Sequence, residues 1–494
     1  MAVSPCLFSM PPELLVSIMS AVESPLDLWA FIRASPAGYR VFRNYRTSVL
    51  SHVLHNAIGE EVMPDALGAL YSSHLNVPEN TVTLTATECR DRVTTFLANF
   101  HEKTLEFPKD AESLDGLFRI CNTVMSLVGD YSSRAIVLLD KTLHGQRIVP
   151  ALPSSELRQG IPLSRHEQSR FLRAFFRYEM YCNCFRPAEK TSCGSHDATI
   201  FTKYERSRLF LTPLPKWEVE EIYCVYQYLI SKVAKIVSEI ENQFCRDIIN
   251  AHIDESSDAV NIVYRDEWID LERRASKEEL DKVRPFLLCE VGYLDSEGLD
   301  AFDACLHEGR NTFFDHMCRY GLSFLKDWFV SDFAAQHSVF ARYGHRTTSQ
   351  LNVQNTFASF NKTYFTQSQT PTTTMEESSR TYNMGWKMTE GDLRTALRPR
   401  STYSGYDAAW DTLIDCGYVF WDAWHFQKGS LRTQLYKFRD CGNQLSPEHR
   451  VRHVRLLWKD KCEILDKYRE RPIRRVPCPV SRPSRGNVPQ KEQV

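Results

Sequence analysis

The sequence predicts an all-α protein, with a three-helix N-terminal module followed by a large helical body that a long polar loop interrupts. Three observations predict it. Apolar residues recur four, three and four apart in Phe171, Phe175, Tyr178 and Cys182, and continue along Ile222, Val225, Leu229, Val233, Ile236, Ile240 and Phe244, which is the period of one helix face. Near the N-terminus, helix starts are written as Ser24-Pro25 and Ser35-Pro36, each a capping hydroxyl followed by a proline suited to the first helical position. No persuasive run alternates apolar and polar residues as a half-buried strand does. A hydrophobic fraction of 43% beside 25% charged residues is enough to fill cores and excludes a wholly disordered chain.

Taken in chain order, Pro11-Pro12-Glu13 opens the first helix, because proline is tolerated in a first turn and an acidic side chain complements the positive end of the helix dipole. With the two Ser-Pro starts this gives three short helices near residues 12–22, 25–33 and 36–46. The stripe through Phe171 and Cys182 follows a possible capping box at Ser164 and Glu167. From Trp217 to about Ile249 no Pro or Gly intervenes, so a helix on the order of 50 Å long is expected as the spine of the body. Its seam lacks consistent flanking charge pairs, which favours a long packed helix over a coiled coil. Residues 278–342 alternate helical patterns with Gly292, Gly298, Gly309 and Gly321, and Phe313, Met317, Phe324, Leu325, Trp328 and Phe329 point to close-packed helices.

Between Arg346 and Asn383, 23 of 38 residues are Ser, Thr, Asn or Gln, too few core-forming side chains for a packed element, so this is read as a flexible loop. Helical patterning resumes at Tyr406 to Phe426 and at Pro447 to Tyr468, before a tail carrying Pro472, Pro477, Pro479, Pro483 and Pro489. The resulting organisation is a module at 1–50, a helical body at 51–343, a polar loop or linker at 344–402, a C-terminal helical part of the body at 403–470 and a basic, Pro-rich, disordered tail at 471–494. No repeat of solenoid period is present.

Charge and cysteine usage bound the setting. Sixty basic residues against 62 acidic ones leave a net charge of −2, so no whole-protein field favours nucleic acid or an anionic membrane, and neither is an expected partner. The longest aliphatic run, Ile136 to Leu139, is far short of the ~20 residues of a membrane-spanning helix. The first 22 residues lack a basic start and are broken by Pro11, Pro12 and Glu13, unlike a secretory signal. Fifteen scattered cysteines do not make a disulfide framework, which favours the cytoplasm or nucleus. The sequon Asn361-Lys362-Thr363 is then not expected to be glycosylated.

Several clusters have a functional and a plainer reading. Cys182, Cys184, Cys193 and His196 are zinc-ligand types within fifteen residues, but Cys182 belongs to the helical stripe and the spacing of paired ligands is poor, so core and loop cysteines are the favoured reading. Asp295, Glu297, Asp300 and Asp303 lack the ligand order of a calcium loop, with Gly298 falling fourth instead of sixth. Trp410, Tyr418, Phe420, Trp421, Trp424 and Phe426 read as core through their near-helical spacing, rather than as a stacking surface. The segment 450–494 has 13 Lys or Arg against 5 Asp or Glu and reads as a solvated tail in preference to one that binds nucleic acid, an acidic partner or an import receptor. There is no Gly-rich phosphate loop, nucleophile elbow or H-E-x-x-H helix. No catalytic residue, cofactor or metal ligand is therefore assigned, and an enzyme is not expected.

The segment Met10-Pro11-Pro12-Glu13-Leu14-Leu15-Val16-Ser17-Ile18-Met19, followed by Ser24-Pro25-Leu26-Asp27-Leu28 and Phe31-Ile32-Arg33-Ala34-Ser35, resembles the F-box, in which a Leu-Pro-x-Glu-Leu-Leu opening leads to an Ile-Leu pair, an Asp-Leu pair and a Ser or Cys before the third helix. Through Tyr45 it is similar to the N-termini of large F-box-type proteins of filamentous fungi, and Trp217 to Ile222 and Gly417 to Asp422 are similar to the bodies of that group. Departures are Met10-Pro11 in place of Leu before the key proline, Pro36 in place of a basic residue, and Tyr39 and Phe42 where Trp is common.

The resemblance implies that Pro12, Leu14, Leu15, Ile18, Leu28 and Phe31 supply a surface for a Skp-type adaptor, and that the body recruits an unknown protein target to a cullin-RING, SCF-type ubiquitin ligase. The physical pattern agrees with a surface to spare: Val16 and Met19 widen the apolar arc of Leu14, Leu15, Ile18 and Val22 to ~200°, more than an ordinary surface helix buries. That arc can meet an adaptor or the rest of this chain. The alternative is thus a non-catalytic helical scaffold whose F-box-like hairpin is only structural.

Overall fold

The computed structural model describes residues 10–75, 85–143, 163–186, 200–253, 262–264, 310–343, 416–422 and 475–477. The chain divides into two units, one of residues 1–235, 311–331 and 348–453 and the other of 236–310, 332–347 and 454–494. The first unit opens with the expected three helices: α1 (Pro12–Ser20), α2 (Pro25–Ala34) and α3 (Pro36–Asn44). Both Ser-Pro starts do what their chemistry dictates. Ser24 Oγ accepts from the amides of Leu26 and Asp27, and Ser35 Oγ from those of Ala37 and Gly38 at 3.1 and 3.3 Å, satisfying amides that a helix start leaves unpaired.

The module lies on α4 (Arg46–Ile58), which buries Val49, Leu50, Val53, Leu54, Ala57 and Ile58. α1 and α2 both pack on α4, and α2 also reaches α7 (Ala111–Leu143). Asn56 of α4 donates to the carbonyl of Ser20 at 2.8 Å and so closes the end of α1. The boundary drawn at residue 50 falls inside α4, so packing runs on from the module into the body.

Two further helices, α5 (Met63–Ser72) and α6 (Ala86–His101), lead to α7. The Thr85 hydroxyl and the Glu88 carboxylate cap each other's amides at the start of α6, the reciprocal arrangement that Ser164 and Glu167 repeat before α8 (Arg165–Cys184). α8 is the centre of this unit. It carries more than the expected stripe: from Phe171 to Cys184 nearly every side chain is buried, the pattern of a helix surrounded on all sides. α5 crosses it closely because Gly68 faces Met180 and Phe100; a β-carbon there would stand 2.8 Å from Met180 Sδ.

A four-residue helix α9 (Lys203–Arg206) runs directly into a π-helical turn, Ser207–Leu211. The expected spine follows as α10 (Lys216–Ile253), 38 residues long, with Ile222, Val225, Leu229 and Val233 buried in the first unit. α11 (Arg310–Cys318) and α12 (Leu322–Val330) bury Met317, Leu325 and Trp328.

The helical pattern read over Tyr406 to Phe426 requires a correction. Cys416–Asp422, the part described, is a turn and a single 3₁₀ turn at Tyr418–Phe420 that leaves in an extended conformation at Trp421. Gly417 stands at φ +58°, a left-handed conformation that interrupts an α-helix and that glycine tolerates best. Tyr418, Phe420 and Trp421 are nonetheless core residues, as their aromatic character suggests.

In the second unit, α10 continues through Ile236 and Ile240, α13 spans Phe333–Tyr343, and Ile262–Tyr264 pairs in parallel with Arg475–Pro477. These three-residue strands leave the all-α class unchanged. The polar stretch Arg346 to Asn383, the acidic group at Asp295 to Asp303, Cys193, His196, Trp410, Trp424, Phe426 and the tail apart from 475–477 lie outside the described residues, as do the side chains of Phe244 and Phe313.

Candidate functional site

The six residues assigned to an adaptor surface separate into three groups. Pro12 and Leu14 are exposed, Ile18 and Phe31 are half-buried, and Leu15 and Leu28 are core residues at 2% and 0% exposure. Leu15 and Leu28 therefore hold the module to its own chain in this structure and offer no free surface. α1 packs on α3 and α4, and α2 on α3, α4 and α7, so the inner faces of both helices are closed by their own chain.

The module still carries large apolar side chains in water. Met10, Leu14, Leu26, Trp29, Tyr39 and Tyr45 are each 38–52% exposed, whereas Tyr204 and Val330 are the other large apolar residues so exposed among the described ones. One edge of Trp29 rests against Phe118 of α7 at 6.2 Å between centroids, which orients the indole while part of it stays accessible. Leu26, Trp29, Tyr39 and Tyr45 were not in the expected set; their only signal was apolar character at positions near the helix starts and ends.

Deeper in the same unit lies a group of charges that sequence reasoning did not assemble. Arg173 and Arg177, one turn apart on α8, meet Asp65 of α5 and Glu218 and Glu221 of α10. Arg177 Nε donates to Asp65 Oδ1 at 2.6 Å and its Nη1 to Glu218, while Arg173 Nη2 meets both Glu221 oxygens at 2.9 and 2.8 Å. Two guanidinium groups thus face three inner carboxylates, with the exposed Glu61 3.9 Å from Arg173 Nη1. Burial pushes the Asp65 and Glu221 carboxyls above their ordinary range even against the arginines, whereas at Glu218 the two arginines overcome burial and hold the carboxyl low. The fork of each arginine is matched to the carboxylates it meets. Such a network fixes helix register.

Two other polar contacts organise the unit. Buried Glu179 of α8 accepts from the Leu322 amide at the start of α12, next to Gly321 at φ +91°. Arg170 binds the Phe420 carbonyl and the Asp422 carboxylate at 2.8 Å each, while Ser164 donates to the same carboxylate at 2.6 Å. Those bonds, with Phe420 stacked 4.0 Å from Phe171, dock residues distant in sequence onto α8.

Cys182 and Cys184 are buried thiols, and the Cys182 sulfur lies 3.6 Å from the Cys318 carbonyl oxygen. Burial pushes both thiols far up, away from the reactive thiolate form. Among the described residues no group of three or more His, Cys, Asp and Glu side chains is placed to hold a metal ion, and no helix is long and apolar enough to cross a membrane. Comparison with protein-family models, with curated proteins and with solved structures gave no match.

Proposed function

We propose that the chain is a target-recruiting subunit of an SCF-type ubiquitin ligase, its N-terminal module docking a Skp-type adaptor and its helical body holding a protein target. The supporting observation is the concentration of exposed Met10, Leu14, Leu26, Trp29, Tyr39 and Tyr45 on and beside three short helices, two of them started by serine caps. Six of the eight large apolar residues this exposed among the described ones fall in residues 10–45, as a contiguous binding patch there would require, and the F-box resemblance of the same residues suggests the partner. Within that reading the docking surface is Pro12, Leu14, Leu26 and Trp29, flanked by Ile18 and Phe31, while Leu15 and Leu28 support it from below. The subunit performs no bond chemistry of its own. It raises the effective concentration of a target lysine near a charged conjugating enzyme.

The second reading, a scaffold whose N-terminal hairpin is only structural, is favoured by the burial of Leu15 and Leu28 and by the bond from Asn56 to Ser20. Co-expression of the full chain with a Skp-type adaptor separates the two. Capture of the adaptor by the wild type, and its loss from Leu14→Asp with Leu26→Asp, supports docking, since both side chains are 52% exposed and their replacement leaves the core intact. If the wild type captures no adaptor at moderate salt, the ligase reading falls and the scaffold remains.

A further inference from the structure

The π-helical turn Ser207–Leu211 follows Arg206 at the end of α9. Turns of this kind displace a side chain from the register of an ordinary helix and are frequent at functional sites. Here the displaced stretch buries Phe210 and Leu211, and Phe210 meets Tyr181 of α8 and Phe185 just past its end at 5.5 and 6.2 Å between ring centroids. Arg206 is buried with them at 3% exposure, and its Nε is sealed from solvent without a hydrogen-bond partner.

The neighbouring charges are committed elsewhere. Glu205, the adjacent carboxylate, accepts from the Thr202 amide and hydroxyl at 2.9 Å each and from Arg90. Arg90 also donates to the Ile200 carbonyl at 3.2 Å and lies over the Phe201 ring. Among the described residues no ion pair, side-chain hydrogen bond or ring contact engages the Arg206 guanidinium. This contrasts with Arg173 and Arg177, each less buried than Arg206, which share the carboxylates of Asp65, Glu218 and Glu221. A guanidinium cannot discard its proton to escape burial, so a lone buried one calls for an anion.

We propose that Arg206 is an anion-binding residue, taking an oxyanion end-on through Nη1 and Nη2, the edge of the fork that Nε does not occupy. The chemical class is a carboxylate or phosphate group, whose paired acceptor oxygens match the planar fork. This site lies apart from the N-terminal module and does not depend on the ligase reading.

The test is thermal unfolding of the full chain in oxyanion-free chloride buffer, followed by titration with inorganic phosphate, O-phosphoserine or acetate at constant ionic strength. The wild-type midpoint is expected to rise in equal steps for each tenfold increase of the effective anion above its dissociation constant, and Arg206→Met is expected to show no rise. Tighter binding of O-phosphoserine than of phosphate would assign the ligand to a phosphoryl group on a larger molecule; the reverse order would assign a free anion, and a response to acetate alone a carboxylate. Arg206→Met is also expected to melt above the wild type in oxyanion-free buffer, because it removes an uncompensated charge. Flat wild-type titrations, equal midpoint rises in both proteins, or a variant that melts below the wild type without oxyanion would each overturn the proposal.

Discussion

Replacing Arg177 with Met removes one of two cations from a buried group of five charges while keeping most of the apolar stem. Arg177 bonds Asp65 at 2.6 Å and also Glu218, and Asp65 is 4% exposed. The variant leaves one guanidinium, Arg173, facing three carboxylates. Two charge-assisted hydrogen bonds of roughly 1.5–3 kcal/mol each are lost, consistent with the roughly 3–5 kcal/mol measured when one partner of a buried ion pair is removed. At about 2 °C per kcal/mol for a unit of this size, the midpoint should fall by roughly 6–10 °C, read by far-ultraviolet circular dichroism.

Asp65→Asn is the internal comparison. It leaves two cations facing two carboxylates, retains a hydrogen-bonding side chain, and should cost less than Arg177→Met. A drop below about 1 °C for Arg177→Met, or a larger loss for Asp65→Asn, would refute the claim that these five groups form one under-neutralised cluster whose carboxylates depend on Arg177.

Other substitutions probe other parts of the unit. Gly68→Ala should destabilise by roughly 1–3 kcal/mol, because its β-carbon would meet Met180 Sδ at 2.8 Å and Phe100 Cδ2 at 3.0 Å; wild-type stability in urea would remove the close crossing of α5 and α8. Ser35→Ala should cost about 1 kcal/mol through loss of the cap of α3, measured by the same urea titration. Trp421→Ala should cost roughly 3–5 kcal/mol as a truncated buried aromatic, and intact stability would mean that residues 416–422 are not docked on α8. For Asp130, burial acts to raise the carboxyl, but Lys232 and the Tyr228 hydroxyl overcome it and hold it below its ordinary value of 3.8. Its contribution is therefore present above about pH 4 and lost as pH falls through the lower folded value, so Asp130→Asn should flatten the acid limb of the stability profile.

Local chemistry made the first three helices legible in the sequence. Ser24, Ser35 and their prolines specify where α2 and α3 begin, and the Ser164 and Glu167 pair specifies the start of α8, because each cap is completed within four residues. α10 was legible for a different reason: a stripe without Pro or Gly long enough to exceed any competing element. The full burial of α8 was not legible, since the sequence shows which residues are apolar and not how many neighbours surround them. Arg173 and Arg177, four apart, and Glu218 and Glu221, three apart, were visible as helix-spaced pairs, but only tertiary packing brings them to Asp65, more than a hundred residues earlier. The same limit explains Leu15 and Leu28. Their match to a motif says that they are apolar and in place, and the packing of α1 and α2 on α3, α4 and α7 decides which apolar residues remain in water. Near-helical aromatic spacing around Tyr418 misled because Gly417 sets the local backbone.

The docking account is tested most directly by calorimetric titration of a purified Skp-type adaptor into the purified full chain. The account expects saturable one-to-one binding, weakened on the order of a thousandfold by Leu14→Asp with Leu26→Asp, because an unpaired carboxylate in a desolvated contact costs several kcal/mol. The thermal midpoint of that variant should stay at the wild-type value. An absence of heat and of complex at roughly 100 μM adaptor, corresponding to a binding free energy weaker than about −5 kcal/mol, would contradict it.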